Sequence, residues 1–161
     1  MRLRALADAP QAFASTLERE QAFTRDVWTS RLTNDRSINL LAVEDGTPLG
    51  MTSALLEDPA NAHVLGMWVA PEARGRGVGH RLIETVAAWG REHRARHMVL
   101  WVTEINRPAR VLYEKSGFVP TGERQPLPSD ESLMEMKLSR EIDETTLFMD
   151  RSPSPTTEMN R

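Results

Sequence analysis

Residues 64–79 read VLGMWVAPEARGRGVG. An apolar run stops at Pro71, and the turn Arg74-Gly75-Arg76-Gly77-Val78-Gly79 leads into a helical pattern. Such a turn suits a phosphate. Glycine lets the backbone approach closely, the first helical N–H groups lack partners, and the helix dipole favours negative charge. Spacing discriminates among phosphate ligands. A dinucleotide fingerprint needs G-x-G-x-x-G. Counted from Gly75 its third small position falls on His80, and counted from Gly77 on Leu82, so both registers fail. A P-loop needs a Lys after its last glycine, and the only lysines are Lys115 and Lys137. The spacing that fits is Arg74, two residues, Gly77, one residue, Gly79.

A second chemical segment spans residues 97–118, HMVLWVTEINRPARVLYEKSGF. Residues 98–102 are β-rich and predict a strand. Asn106 ahead of Arg107-Pro108 predicts a helix start, because Asn caps well and Pro suits the first turn. Ala109, Leu112 and Tyr113 then share one face, and Gly117 ends the helix. Tyr113 is the one tyrosine of the chain. Taken alone, such a tyrosine reads either as core or as a proton donor.

The two segments stand in this order, about 30 residues apart, and together resemble the signature of the GNAT superfamily of acyl-CoA N-acyltransferases. The resemblance covers residues 1–139. It implies an α/β (α+β) fold: a mixed, mostly antiparallel sheet with helices on both faces and a parallel strand pair splayed at its C-terminal ends. It implies acetyl-CoA as co-substrate. Met67, Trp68 and Val69 would contact the pantetheine arm and thioester through their backbones. Arg74, Gly75, Arg76, Gly77, Val78, Gly79 and His80 would surround the pyrophosphate, with a Cβ at Gly77 colliding with it. Asn106 would bind the cofactor arm through its amide, and Tyr113 would be the general acid. The implied reaction is acetylation of a primary amine by direct attack. Many relatives carry a Glu after the Leu of L-x-V, where this chain has Trp101 in Leu100-Trp101-Val102. The base therefore stays open among Glu104, His63, Glu57, Asp58 and a water chain. A silent acyl-CoA-binding module and an accessory interaction protein are the alternatives to an enzyme.

Composition sets further bounds. A chain of 161 residues suits one domain. Without Cys there is no disulfide framework, thiolate zinc site or Cys nucleophile. His93 and His97 stand at i, i+4 with no third ligand near in sequence, so no metal is expected. The net charge of −3 argues against a nucleic-acid partner. Yet residues 74–110 hold eight Arg and three Glu, an excess of five positive charges around the two segments. No apolar run is long enough to span a membrane and no signal-peptide pattern opens the chain, so the cytoplasm is the expected compartment.

The elements that position these residues follow from pattern. Residues 1–9 are helix-like and must stop near Pro10. Ser15-x-x-Glu18 reads as a capping box. Helix is expected over 26–32, and strands over 38–43, 49–56 and 62–69, the first two joined by the Asp45-Gly46 turn. Gly66 inside the third strand marks a bulge. A helix over 78–92 carries a Val78, Leu82, Val86, Trp89 stripe. Strand 98–103, helix 107–116 and strands 117–122 and 131–138 complete the domain. Residues 140–161 read as a disordered tail, with Leu147-Phe148-Met149 as a short docking patch. In the family a strand and most of a helix precede the part matching residues 1–10. The first strand is thus expected to be missing, either because the true start lies upstream of Met1 or because the chain folds without it. The bared strand 38–43 would then be an open sheet edge, available to a homodimer.

Overall fold

The computed structural model describes residues 1–142. Helices α1 (Arg2–Asp8), α2 (Leu17–Gln21) and α3 (Arg25–Leu32) open the chain. Strands β1 (Ser37–Glu44), β2 (Thr47–Asp58) and β3 (Asn61–Val69) follow, then helix α4 (Val78–Glu92), strand β4 (His97–Thr103) and helix α5 (Arg107–Lys115). Strands β5 (Val119–Leu127) and β6 (Asp130–Glu141) close the domain. The six strands form one sheet in the order β1-β2-β3-β4-β6-β5. Every neighbouring pair is antiparallel except β3 and β4. The α/β class, the mixed sheet and the single parallel pair agree with the sequence reading.

Helices cover both faces of the sheet. On one face the α4 stripe packs Ile83, Val86 and Ala87 against Ala62, Val64, Met98 and Leu100. On the other, Ala5 and Leu6 of α1 join Phe13, Leu49, Met51 and Trp68. Period-two alternation explains the division. Gly50, between Leu49 and Met51, faces α4, where an added Cβ would lie 3.1 Å from Val78 and 3.3 Å from Leu82.

Several boundaries differ from expectation. The second helix is capped by Thr16, whose hydroxyl accepts from the Arg19 amide at 3.2 Å, and not by Ser15. Ser15 instead serves the buried Glu20 carboxylate. Strands β2 and β5 outrun the expected spans, since pairing continues past the apolar residues that drew attention. The domain also reaches beyond residue 139. β6 pairs with β4 as far as Glu141↔His97, and Ile142 is buried against Gly90. The remaining tail and Leu147-Phe148-Met149 lie outside the described residues.

The two edges of the sheet are unlike. β5 carries Pro120 and Pro126, which suit an edge because they have no N–H to donate. β1 forms the other edge and presents Leu41 and Val43, both more than half exposed.

Glu20 fastens the opening helices together. Its carboxylate is fully buried and accepts from Arg2 at 2.7 and 2.9 Å, with Arg31 at 3.4 Å. Burial works to raise this carboxyl. Arg2, Ser15 and Arg31 outweigh it and hold it below the usual carboxylate value of 4.5. A lowered folded-state pKa stabilises above the unfolded value, and that contribution is lost as pH falls below it. Glu20→Gln is therefore expected to cost about 3 kcal/mol at neutral pH, because two guanidiniums lose their counter-charge. The deficit should shrink below about pH 4.5. Urea unfolding at pH 7 and pH 3 measures both, and an equal deficit at the two pH values would contradict the linkage.

Candidate active site

The parallel pair is joined at one end only. Its register runs Asn61↔His97, Ala62↔Met98 and His63↔Val99, and pairing then stops. Beyond that rung β3 stays with β2, while β4 stays with β6 as far as Thr103↔Glu135. The two strands thus form a wedge that opens toward Val69 and Thr103. A bulge helps to free the β3 side. Met51 pairs with Trp68 but Ser53 with Leu65, so β3 holds one residue more than β2 between these rungs. Gly66 lies in the excess with φ +61°, a left-handed conformation that suits glycine. The Thr52 hydroxyl donates to the Leu65 carbonyl at 3.1 Å and steadies the irregularity.

Met67, Trp68 and Val69 line the freed half of β3. Trp68 is anchored on the α1 face, where its indole N–H donates to the Asp8 carboxylate at 2.9 Å. Asp8 also pairs with the Arg74 guanidinium. The Trp68 bond and then Arg74 hold the Asp8 carboxyl below its usual value, against the opposing effect of burial. Arg74 Nε donates to the Val69 carbonyl at 3.1 Å, which clamps the glycine-rich turn to the end of β3. Arg76 makes a two-pronged contact with Glu44 at 2.6 and 2.7 Å. Both turn arginines are thus held by carboxylates of other elements, Asp8 and Glu44.

Gly75 and Gly77 take φ values of +76° and +79°. Gly77 is the N-cap of α4 and offers no side chain, and the first turn of α4 contains no acidic residue. Its leading N–H groups therefore stay available to an anion. A Cβ at Gly77 would meet no protein atom within 4 Å, so within the chain the demand for glycine comes from φ. Gly79 differs. A Cβ there would lie 2.8 Å from Leu112 and 3.5 Å from Val69, so this glycine lets α4, α5 and β3 converge. His80 adds a second tie, its Nδ1 standing 3.2 Å from Ser116 Oγ at the end of α5. The two sequence segments are thereby joined in space.

Asn106 caps α5, its Oδ1 accepting from the Ala109 amide at 3.3 Å, which leaves its amide NH2 free to donate elsewhere. Tyr113 is 6% exposed and packs edge-on to Phe118. Among the described residues its hydroxyl has no hydrogen-bond partner, yet no sealed side-chain oxygen is left unpaired, so this hydroxyl reaches solvent. Burial pushes its pKa well above the usual value of 10, and it remains protonated across the neutral range.

The base candidates part company. Glu104 lies just past β4 and is paired with Arg124 at 2.6 Å. His63 occupies the last paired rung, at the apex of the wedge. Its Nδ1 is 2.9 Å from Glu57 Oε1, and both border a cleft of about 310 Å³ with Asp58, Trp101 and Lys137. Asp58 is committed locally, to the amides of Ala60 and Asn61 and to the Asn61 side chain. Asp8, Glu44 and Ser116 escaped the sequence reading because each lies more than 30 residues from its partner and no local pattern marks it.

Comparison with known proteins places the fold and the family. The family description "Acetyltransferase (GNAT) family" matches residues 3–118. The N-acetyltransferase YhfO of Bacillus subtilis is 31% identical over 110 residues, 65% of this chain and 71% of that protein. A mycothiol acetyltransferase of Beutenbergia cavernae is 33% identical over 119 residues, 73% of this chain but only 38% of that protein. The solved structure of a GCN5-related N-acetyltransferase from Kribbella flavida superposes with a TM-score of 0.69 at 24% identity, covering 87% of this chain and 88% of that one.

Two glycines separate phosphate binding from backbone strain. Gly46 in the β1–β2 turn and Gly77 have nearly equal φ, +78° and +79°, and open space at Cβ. Gly46→Ala and Gly77→Ala are expected to lower stability alike, by about 1 kcal/mol. Only Gly77→Ala should weaken CoA binding, by about ten-fold or more in calorimetric titration. Equal CoA affinities for the two variants would remove the turn from the binding site.

Proposed function

The chain belongs to the acetyltransferase (GNAT) family, and on that premise we propose that it transfers the acetyl group of acetyl-CoA to a primary amine by direct attack in a ternary complex. The observation that carries this reading is the wedge between β3 and β4, which ends at the uncapped N-terminus of α4. An extended cofactor arm fits between the strands, and its pyrophosphate fits the free N–H groups of the helix. Met67 to Val69 offer backbone groups to the arm, and Asn106 offers its amide from the opposite wall.

In the proposed step the amine lone pair attacks the thioester carbonyl carbon, and the carbonyl oxygen takes up the charge. A backbone N–H on the freed part of β3 would stabilise this oxyanion, a contribution worth about 3 kcal/mol in comparable sites. Collapse breaks the carbon–sulfur bond, and the leaving thiolate takes a proton from Tyr113. Its hydroxyl is protonated at neutral pH and so has a proton to give, while burial makes it a weaker acid than a free tyrosine. His63 is the best-placed base. Donation from Nδ1 to Glu57 leaves Nε2 as the proton acceptor. Glu104 acts as a charge already balanced by Arg124. A cytoplasmic setting is part of the proposal. Among the described residues no helix is long and apolar enough to cross a membrane. Pairing of β1 with a second copy would complete the open sheet edge.

Turnover tests this reading. Thiol release from acetyl-CoA, measured across a panel of amines, is expected to depend on the amine. Tyr113→Phe keeps the ring packing and should lower kcat by about 100-fold with CoA affinity unchanged. His63→Gln should lower kcat by at least about ten-fold. Full turnover in Tyr113→Phe would reduce this tyrosine to packing, and binding without amine-dependent release would favour a silent acyl-CoA-binding module.

A further inference from the structure

Among the described residues two carboxylates are buried, and they are treated differently. Glu20 is neutralised by Arg2 and Arg31. Glu135 on β6 is 6% exposed, and among the described residues no cation pairs with it. Its hydrogen-bond partner is a neutral amide, Gln125 Nε2 donating to Oε1 at 2.7 Å. The nearby basic residues are committed elsewhere, Arg124 to Glu104 and Lys137 to Glu123. A buried carboxylate without a counter-charge is costly, and such a cost is retained where a ligand supplies the charge. No sealed side-chain oxygen lacks a partner among the described residues, so Oε2 opens outward.

The position of Glu135 says which ligand. It pairs with Thr103, the last residue of β4, at the open mouth of the wedge. Their shared face looks away from α4. On that side the Thr103 hydroxyl donates to the Gln11 carbonyl at 2.6 Å, and Gln125 completes the row on β5. The cofactor arm would run along the wedge, so a group reaching Glu135 would enter from the face opposite α4. We propose that Glu135 binds a second cationic group, an ammonium or guanidinium, of the acceptor amine, and that this protein acetylates diamines in preference to simple monoamines. The carboxylate does not hold the reacting nitrogen itself, because that contact would favour the protonated, non-nucleophilic form.

This inference rests on the acyltransferase reading, and the test keeps the two apart. The full chain is titrated calorimetrically with CoA, and then, with CoA present, with 1,5-diaminopentane and with pentylamine, which differ by one ammonium. The wild-type protein is expected to bind the diamine at least about ten-fold more tightly, a difference of about 1.4 kcal/mol. Glu135→Gln keeps the shape and should bring the two amines within about three-fold, with CoA and pentylamine affinities unchanged. A merely structural glutamate would shift both amines together. Glu135→Asp, which keeps the charge but withdraws it, is the second variant and should lose at least about three-fold of the preference. A wild-type protein that takes CoA yet shows no diamine preference overturns the proposal, as does a variant that keeps the preference. Failure to bind CoA overturns the acyltransferase reading instead, and the diamine comparison without CoA then still decides on Glu135.

Discussion

The site depends on hydrogen bonds that are not made. β3 and β4 share three rungs and then part, although each goes on pairing with its other neighbour. A parallel pair left to itself would keep pairing, because unpaired backbone groups are costly when buried. Here the separation is enforced from both sides. The Gly66 bulge turns the β3 backbone out of register with β2, and the Thr52 hydroxyl donates to the Leu65 carbonyl beside it. Across the gap, the Thr103 hydroxyl is held by Gln11, and Gly79 draws α4 and α5 together beneath the opening. The wedge is thus a packed feature of the fold.

Charge is arranged to leave the wedge approachable. The arginines of the turn contact the carboxylates of Asp8 and Glu44, so the fixed positive potential comes from the α4 N-terminus together with partly compensated side chains. The same bonds orient the turn. Arg74 spans Asp8 and the Val69 carbonyl, and Asp8 in turn holds the Trp68 indole. One carboxylate on α1 thereby sets the end of β3 and the start of the glycine-rich turn. This lets α1 position the glycine-rich turn although it lies on the face opposite α4.

Local chemistry in the chain was legible and long-range chemistry was not. The turn at 74–79, the Asn106 cap, the α4 stripe, the Asp45-Gly46 turn and the Gly66 bulge each follow from a few adjacent residues, and the structure places each of them as expected. The Ser15 capping box failed because the adjacent Thr16 takes the cap. Residues 140–142 looked like tail because their partners, His97 and Gly90, lie about 45 to 50 residues away and no local periodicity announces them. Gly79 has a packing reason that local pattern does not show either. It sits within a phosphate pattern, but the atom that excludes a Cβ belongs to Leu112.

The base shows where pattern gives way to geometry. The sequence offers Trp101 where many relatives have Glu, which leaves several candidates on equal terms. Register separates them. His63 falls on the last paired rung of the wedge, and strand β2 brings Glu57 alongside it at 2.9 Å. A histidine held through Nδ1 by a carboxylate presents Nε2 in a fixed tautomer, which a glutamate already bound to Arg124 does not match. Trp101 lines the same cleft from β4, beside the histidine proposed as the base. His63 pairs with Val99, and Trp101 stands two residues further along β4, past the point where the two strands part, so both residues border one cleft from opposite strands.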